Sequence, residues 1–314
     1  GRIDRLQLRH RTLAFPAAVI KKYAEDQGGA LAALIAYWAF FSLFPLLLVF
    51  VTVLGFVLHG NAAAQRSVLH SALSQYPIIG SQLRTNISTI RGSGLDLAIG
   101  VIGALLAGLG VTGAVQSAFG QVWRVPRRER PGFLAWRVRG VALLALFGSL
   151  VIVSTVAAGF VTAQAPHGLF TTVLAVVLAL IANLLLFGLS FRLFTERGVP
   201  TRQLLPGIVT GALLWQLLQH TAGYYVTHVV RHAQDVGGVF ALVLGLLVWL
   251  YIASRVTVLA AEINVVRARR LWPRSLLSGS PLEADLRALR SAVRVEERIA
   301  GERIDVRFEP PERG

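Results

Sequence analysis

The 314-residue chain is strongly apolar: 54% of its residues are hydrophobic, only 15% are charged, and the mean hydropathy is +0.62. Soluble domains have about a quarter of their residues charged, so this composition excludes an ordinary soluble protein. In a soluble protein the formal net charge of +15 would favour a nucleic-acid partner, but here the basic residues lie between apolar runs, as membrane topology requires. The absence of cysteine excludes disulfides, a thiolate nucleophile and a cysteine metal site.

The first 29 residues are basic and contain regularly spaced apolar side chains. This pattern predicts an amphipathic helix on the cytoplasmic leaflet, beginning near Pro16 because proline is tolerated in a first turn. The apolar run that starts at Ala30 is too long for the hydrophobic part of a cleavable signal peptide. We therefore interpret it as the first membrane span.

Several apolar runs are long enough to cross a bilayer, whose hydrocarbon core of about 30 Å requires about 20 helical residues. The predicted spans are residues 30–58, 97–122, 141–161, 169–193, 204–230 and 236–266. The sequence thus predicts an all-α polytopic membrane protein: a six-transmembrane-helix bundle with an N-terminal interfacial helix. An external helical loop (59–94) and a basic cytoplasmic tail (267–314) complete the prediction.

The distribution of lysine and arginine predicts the orientation. Both termini and the loops after the second and fourth spans are placed on one side. That side then holds every basic residue except Arg66, Arg84, Arg91, Arg231 and the intramembrane Arg255. Because cytoplasmic loops carry the excess of lysine and arginine, both termini are predicted to be cytoplasmic.

Small residues predict close helix packing in two spans. The second span has glycine or alanine at spacings of three and four, and the fifth has the pair Gly207 and Gly211, which packs either within one chain or between two copies. In the tail, residues 281–299 form an amphipathic helical pattern. Its predicted apolar face consists of Leu282, Leu286, Leu289 and Val293.

The sixth span contains ionisable residues at membrane depth, which are costly in lipid and are therefore functional-site candidates. Arg255 and Glu262 are about two helical turns apart and share a face with Tyr251. For Arg255, one interpretation is an arginine that reaches the inner headgroups or braces Glu262, and the other is a contact to an anionic headgroup or phosphate. Glu262 is either an arginine-paired structural carboxylate or a carboxylate that couples protons or cations.

Polar residues of the fourth and fifth spans complete the candidate substrate-binding set. Gln216, Gln219 and His220 lie on the face roughly opposite the glycine pair, where they either line a hydrophilic cavity or bond to neighbouring helices. Asn183 is interpreted mainly as an interhelical contact. His228 and His232, with Asp235, have the spacing of a metal-binding face but lack a strong third ligand, so no metal is predicted.

Four stretches resemble a known family of bacterial inner-membrane proteins: AYWAFFSLFPLLLVFVTVLG, FGQVWRVPRRERPGF, GALLWQLLQ and GGVFALVLGLLVWLYIASRVTVLAAEINVV. They are similar to the YihY/BrkB family, and the first is closest to its YhjD-like members. The resemblance extends from about Phe15 to Arg270 and is carried by span-length patterns rather than catalytic residues. It implies six transmembrane helices, a location in the bacterial inner membrane and a role in the export or flipping of envelope lipids or other solutes.

These observations lead to a first hypothesis, a transporter or flippase for an amphiphilic or anionic envelope lipid or solute. The predicted partners are membrane lipids, including anionic headgroups at the basic cytoplasmic loops, with no nucleic acid and with an oligomer left open. The alternative is a scaffold or envelope-assembly factor that transports nothing. No enzyme activity is predicted: no GxxxxGK[ST] loop is present, no cofactor is implied, and the acidic residues outside the membrane do not form a nuclease-like metal set.

Overall fold

A computed structural model describes residues 11–57, 94–130, 132–145, 169–195, 199–225, 231–275, 281–299 and 301–308. Within these ranges the fold is all-helical, as predicted, and contains no strand. The α-helices are α1 (Arg11–Glu25), α2 (Gly28–Val57), α3 (Gly94–Val122), α4 (133–145), α5 (Leu169–Phe194), α6 (Thr201–Tyr225), α7 (Arg231–Ala268) and α8 (Glu283–Arg294).

The helices α2, α3, α5, α6 and α7 coincide with the predicted first, second, fourth, fifth and sixth spans to within a few residues. In the described part of the chain, four helical segments are long and apolar enough to cross a membrane: Gly28–Leu46, Ala98–Val122, Val176–Phe194 and Val243–Ala268. The predicted third span and the predicted external loop lie largely outside the described residues. The six-span count and the orientation therefore stay predictions.

The first helix differs in detail from its prediction. It begins at Arg11 and continues through Pro16 instead of beginning there. Ala14, Ala18 and Lys22, which recur every four residues, are buried, whereas Ile20 is exposed. One face of α1 therefore packs against protein, and its contact with lipid stays a prediction.

The described residues divide into two compact units, of which unit two comprises Ala33–Ala114 and Leu217–Ser254. In unit two the small residues of α3 lie against large side chains of α2. A Cβ atom on Gly110 would be 2.1 Å from Trp38, and one on Gly103 would be 3.0 Å from Pro45. The close packing predicted for the second span is thus confirmed, in an antiparallel register.

Unit one comprises Gly1–Ala32, Val115–Gln216 and Arg255–Gly314. In unit one, α6 packs against α7 through the glycine pair: the amide of Gly207 donates to Asn264 Oδ1 at 2.8 Å. A Cβ atom on Gly207 would be only 2.3 Å from the Ala260 carbonyl oxygen, and one on Gly211 would be 2.8 Å from Phe187. The pair that the sequence left open therefore packs within one chain.

The tail helix α8 buries a face that overlaps only in part with the one predicted. Its buried residues are Ala284, Asp285 and Ala288, whereas Leu289 is exposed. Of the predicted apolar face, Leu282, Leu286 and Val293 are partly buried, and Asp285 lies on the buried side with the two alanines. Asp285 accepts a hydrogen bond from Arg274 at 2.9 Å.

A buried charge cluster as the candidate functional site

Four ionisable side chains meet in the interior of unit one and form what we call the buried charge cluster: Lys22, Asp26, Arg124 and Glu262. Lys22 Nζ lies 2.9 Å from Glu262 Oε2 and also contacts Asp26. Asp26 accepts hydrogen bonds from Arg124 Nη2 at 2.8 Å and from Nε at 3.2 Å. The cluster therefore joins α1, the residues after α3, and the last span, α7.

Local sequence places Arg124 in this cluster. Helix α3 ends in a turn in which the amides of Arg124 and Val125 donate to the carbonyls of Gln121 and Gly120, both at 2.9 Å. This is a Schellman-type ending, and its left-handed position usually holds glycine. Here Arg124 adopts φ = 50°. A non-glycine residue persists in that conformation where its surroundings hold it, and the bonds to Asp26 do so.

The charges in the cluster balance, with two cations and two carboxylates. Lys22 and Glu262 are fully buried, so each would carry a large desolvation cost without its partner. Lys22 has three hydrogen-bond partners, Asp26, Glu262 and the Val122 carbonyl oxygen at 2.8 Å, which satisfies all three of its donors. By contrast, Glu262 Oε1 has no hydrogen-bond partner among the described residues.

A second group of ion pairs, which we call the tail cluster, attaches the C-terminal segment to α1: Lys21, Glu25, Arg274 and Asp285. Arg274 makes a bidentate pair with Glu25, with both N–O distances at 2.8 Å. Burial alone would raise the pKa of Asp285. Hydrogen bonds from the Ser275 amide, Lys21, Arg274 and the Leu282 amide outweigh burial and hold its pKa below the usual value.

The two charged residues predicted for the last span have different surroundings. Glu262 is fully buried against Lys22, and Arg255 is exposed, with its guanidinium carbon 5.8 Å from the centre of the Tyr23 ring. Arg255 and Glu262 share a helix face, and both contact α1, Arg255 through the ring of Tyr23 and Glu262 through Lys22. Of the two interpretations of Glu262, the first named a paired carboxylate, and the partner in the structure is Lys22 instead of an arginine.

The polar residues predicted on the fourth and fifth spans are brought together in part. Asn183 is buried and donates from Nδ2 to Gln216 Oε1 at 2.7 Å, which is the interhelical contact expected of it. Gln219 is exposed and Tyr251 is partly exposed. The side chains of His220 and His232, and all of His228, lie outside the described residues. In the part of the chain that is described, no group of three potential ligands could hold a metal.

Comparison with known proteins places this membrane protein in a family. A family model described as virulence factor BrkB matches residues 19–279. The chain belongs to the BrkB family. The resemblance to the YihY/BrkB proteins is thereby confirmed, and the matched residues include Lys22, Asp26, Arg124 and Glu262.

Curated relatives from other bacteria are named UPF0761 membrane proteins. The relative from Pseudoalteromonas atlantica is 24% identical over 74% of this chain and 78% of its own length. The relatives from Alkalilimnicola ehrlichii and Azotobacter vinelandii are both 26% identical, over 90% and 85% of this chain. This chain spans 63% and 66% of the length of those two relatives. No solved structure matches the chain.

Sequence reasoning missed three members of the cluster in this BrkB-family protein: Lys22, Asp26 and Arg124. Their partners are remote in sequence: the separation is 240 positions for Lys22 and Glu262 and 98 positions for Asp26 and Arg124. A local signal was nevertheless present. Ala14, Ala18, Lys22 and Asp26 are spaced every four residues, so a helix places these small and charged side chains along one line.

Proposed function

We propose that this BrkB-family protein is a transporter or flippase of the bacterial inner membrane, and that it moves an amphiphile with an anionic headgroup. The observation that carries the proposal is the exposed side chain of Arg255 within the apolar segment Val243–Ala268. Arg255 is about 18 Å from Val243 along the helix axis, at about 1.5 Å per residue. It therefore lies near the middle of this segment, and in the cytoplasmic half of the predicted span 236–266.

An exposed arginine at that depth is costly in lipid unless it meets water, an anion or the interface. An amphiphile that crosses the bilayer would bring its anionic headgroup to this depth and would offset the cost of the charge there. The guanidinium carbon of Arg255 lies 5.8 Å from the centre of the Tyr23 ring, so the side chain extends towards α1. We therefore assign Arg255 the headgroup contact.

The other candidate residues support this assignment unequally. The hydrogen bond between Asn183 and Gln216 gives both side chains a structural role, and the pairing with Lys22 does the same for Glu262. Gln219 and Tyr251 are at least partly exposed and, together with His220, stay predicted substrate contacts. We also propose that the chain crosses the membrane six times and that both termini lie in the cytoplasm.

The test is a flipping assay in proteoliposomes that contain a fluorescent phosphatidylglycerol. Arg255→Gln removes the charge while keeping a long polar side chain, and we expect it to slow flipping about tenfold, which is the effect of losing one charge-assisted hydrogen bond. Arg267→Gln is the matched control, because Arg267 is an exposed arginine in the last turn of the same helix. Equal rates in the parent and in both variants would contradict the assignment.

A scaffold that transports nothing is the second candidate, and the two ion-pair clusters favour it. These ion pairs connect α1 to the last span and to the tail, and a scaffold needs no movement between these segments. A parent protein that is folded in proteoliposomes yet flips no lipid faster than protein-free vesicles would support the scaffold and reject transport.

A further inference from the structure

A cavity of about 620 Å³ in unit one is lined mainly by arginine side chains. It is formed by the residues after α3, the end of α7, the helix α8 and the segment that follows α8. Seven arginines and three carboxylates line it, a formal excess of four positive charges. A cavity of this size is within the range of small-molecule sites, about 300–1,000 Å³.

Two of these arginines have carboxylate partners in the protein. Arg124 bonds Asp26, and Arg128 pairs with Glu297 at 3.0 Å and with Glu129 at 3.5 Å. Two of the three carboxylates in the lining, Glu129 and Glu297, thus lie within ion-pair distance of Arg128. Among the described residues, no carboxylate pairs with any of four other arginines of the cavity: Arg287, Arg290, Arg294 and Arg303.

Three of these four arginines are held on one face of α8. Arg287, Arg290 and Arg294 occupy positions i, i+3 and i+7, so their side chains are neighbours on the helix surface. Like charges at this spacing destabilise an isolated helix. The position of α8 is fixed independently of them: Asp285 is bonded to Arg274, and the Ala288 carbonyl oxygen accepts a hydrogen bond from Arg124.

We propose that this cavity binds a compact anion that carries two or more phosphate groups. Planar guanidinium groups recognise phosphate oxygens with paired hydrogen bonds, and several arginines in one cavity match a ligand with several phosphates. Four chain segments line the cavity, which favours a compact ligand over an extended polymer. The phosphates belong either to a soluble polyphosphate compound or to the headgroup of an anionic lipid. The site does not include Arg255, so it is independent of the proposed transport.

The experiment uses the full chain in nanodiscs of phosphatidylcholine. In one arm, sodium tripolyphosphate is titrated and its binding is measured by calorimetry. In the other arm, cardiolipin is added to the nanodiscs, and its binding is measured by the quenching of tryptophan fluorescence by a labelled cardiolipin. The cavity variant combines Arg287→Gln, Arg294→Gln and Arg303→Gln. The control combines Arg202→Gln, Arg298→Gln and Arg307→Gln, which removes the same charge from exposed residues outside the cavity.

We expect the parent and the control to bind in at least one arm, and the cavity variant to bind about tenfold or more weakly in that arm. The arm that responds identifies the source of the phosphates. All six substituted arginines are exposed, so both triple variants are expected to unfold at the temperature of the parent. Equal weakening in the cavity variant and the control would overturn the proposal, since it would reflect net charge alone. Absence of binding in both arms would also overturn it.

Discussion

Lys22 and Glu262 form an ion pair in which neither side chain has any exposed surface. Removal of either partner changes the charge balance of the buried charge cluster by one unit. Lys22→Met leaves Asp26 and Glu262 against Arg124, and Glu262→Gln leaves Lys22 and Arg124 against Asp26. A single uncompensated buried charge lowers the free energy of unfolding by about 3–5 kcal/mol, whereas replacing both partners with neutral side chains of similar volume lowers it far less.

We therefore predict that Lys22→Met and Glu262→Gln each lower the midpoint of thermal unfolding in detergent, followed by tryptophan fluorescence. The double variant should recover at least half of the loss, because the two remaining charges balance. Arg127→Met is the control: Arg127 and Glu296 form an exposed pair at 3.5 Å, and such pairs contribute only about 0–1 kcal/mol. Additive losses in the double variant would mean that the two side chains are not coupled.

Asp285 makes the attachment of the tail dependent on pH. Because its pKa is lower in the folded protein than its ordinary value of 3.8, its stabilising contribution is complete above that value. The contribution is lost as the pH falls from there through the lowered pKa. At neutral pH, Asp285→Asn should imitate this loss.

The measurement is limited proteolysis of the tail, with the rate of cleavage within residues 276–299 as the readout. We expect Asp285→Asn to be cleaved about tenfold faster than the parent at pH 7, because two charge-assisted hydrogen bonds are lost or weakened. Glu283→Gln removes an exposed carboxylate one turn or less away and should leave the rate unchanged. Equal protection of the parent and Asp285→Asn would show that other contacts hold the tail.

At the scale of the helices, the contact of α6 with α7 depends on the missing side chain of Gly207. A Cβ atom there would meet the Ala260 carbonyl oxygen at 2.3 Å and Asn264 Oδ1 at 2.4 Å. A backbone carbonyl cannot turn away, so the helices must separate to admit a methyl group. Overpacking of this kind costs about 1–3 kcal/mol.

Gly207→Ala should therefore lower the thermal midpoint of the protein in detergent, and Gly188→Ala should not. Gly188 is also a glycine within a helix, but a Cβ atom there would have only ordinary contact, at 3.9 Å from Ile208. Alanine is the better helix former, so Gly188→Ala is expected to be neutral or stabilising. A similar loss in both variants would show that the glycine contact is not the cause.

The helices were more predictable from the sequence than their contacts. A long hydrophobic run in the sequence directly indicates a helix that can lie in lipid, so the limits of α2, α3 and α7 agree closely with the predicted spans. The spacing of Gly207 and Gly211 likewise identified a real contact between helices. Ion pairing carries no such local signal. Glu262 bonds a lysine 240 residues away, and the buried side of α8 includes the charged residue Asp285.

For the whole molecule, the structure separates two kinds of charge. Lys22, Asp26, Arg124 and Glu262 are buried, mutually paired and electrically balanced, which suits a permanent connection between α1, α3 and α7. Arg255 is exposed within an apolar segment, which suits a group that meets a ligand. We infer that the paired charges stabilise the fold and that, in the proposed transport function, Arg255 sets a preference for anionic headgroups.

The most direct test of that claim is the headgroup dependence of flipping by the parent protein. Fluorescent phosphatidylglycerol and phosphatidylcholine with identical acyl chains are compared in the same proteoliposomes, and protein-free vesicles supply the background rate. We expect the protein to accelerate the flipping of phosphatidylglycerol well above the background rate and above its rate for phosphatidylcholine. Rates for both lipids equal to those of the protein-free vesicles would contradict it.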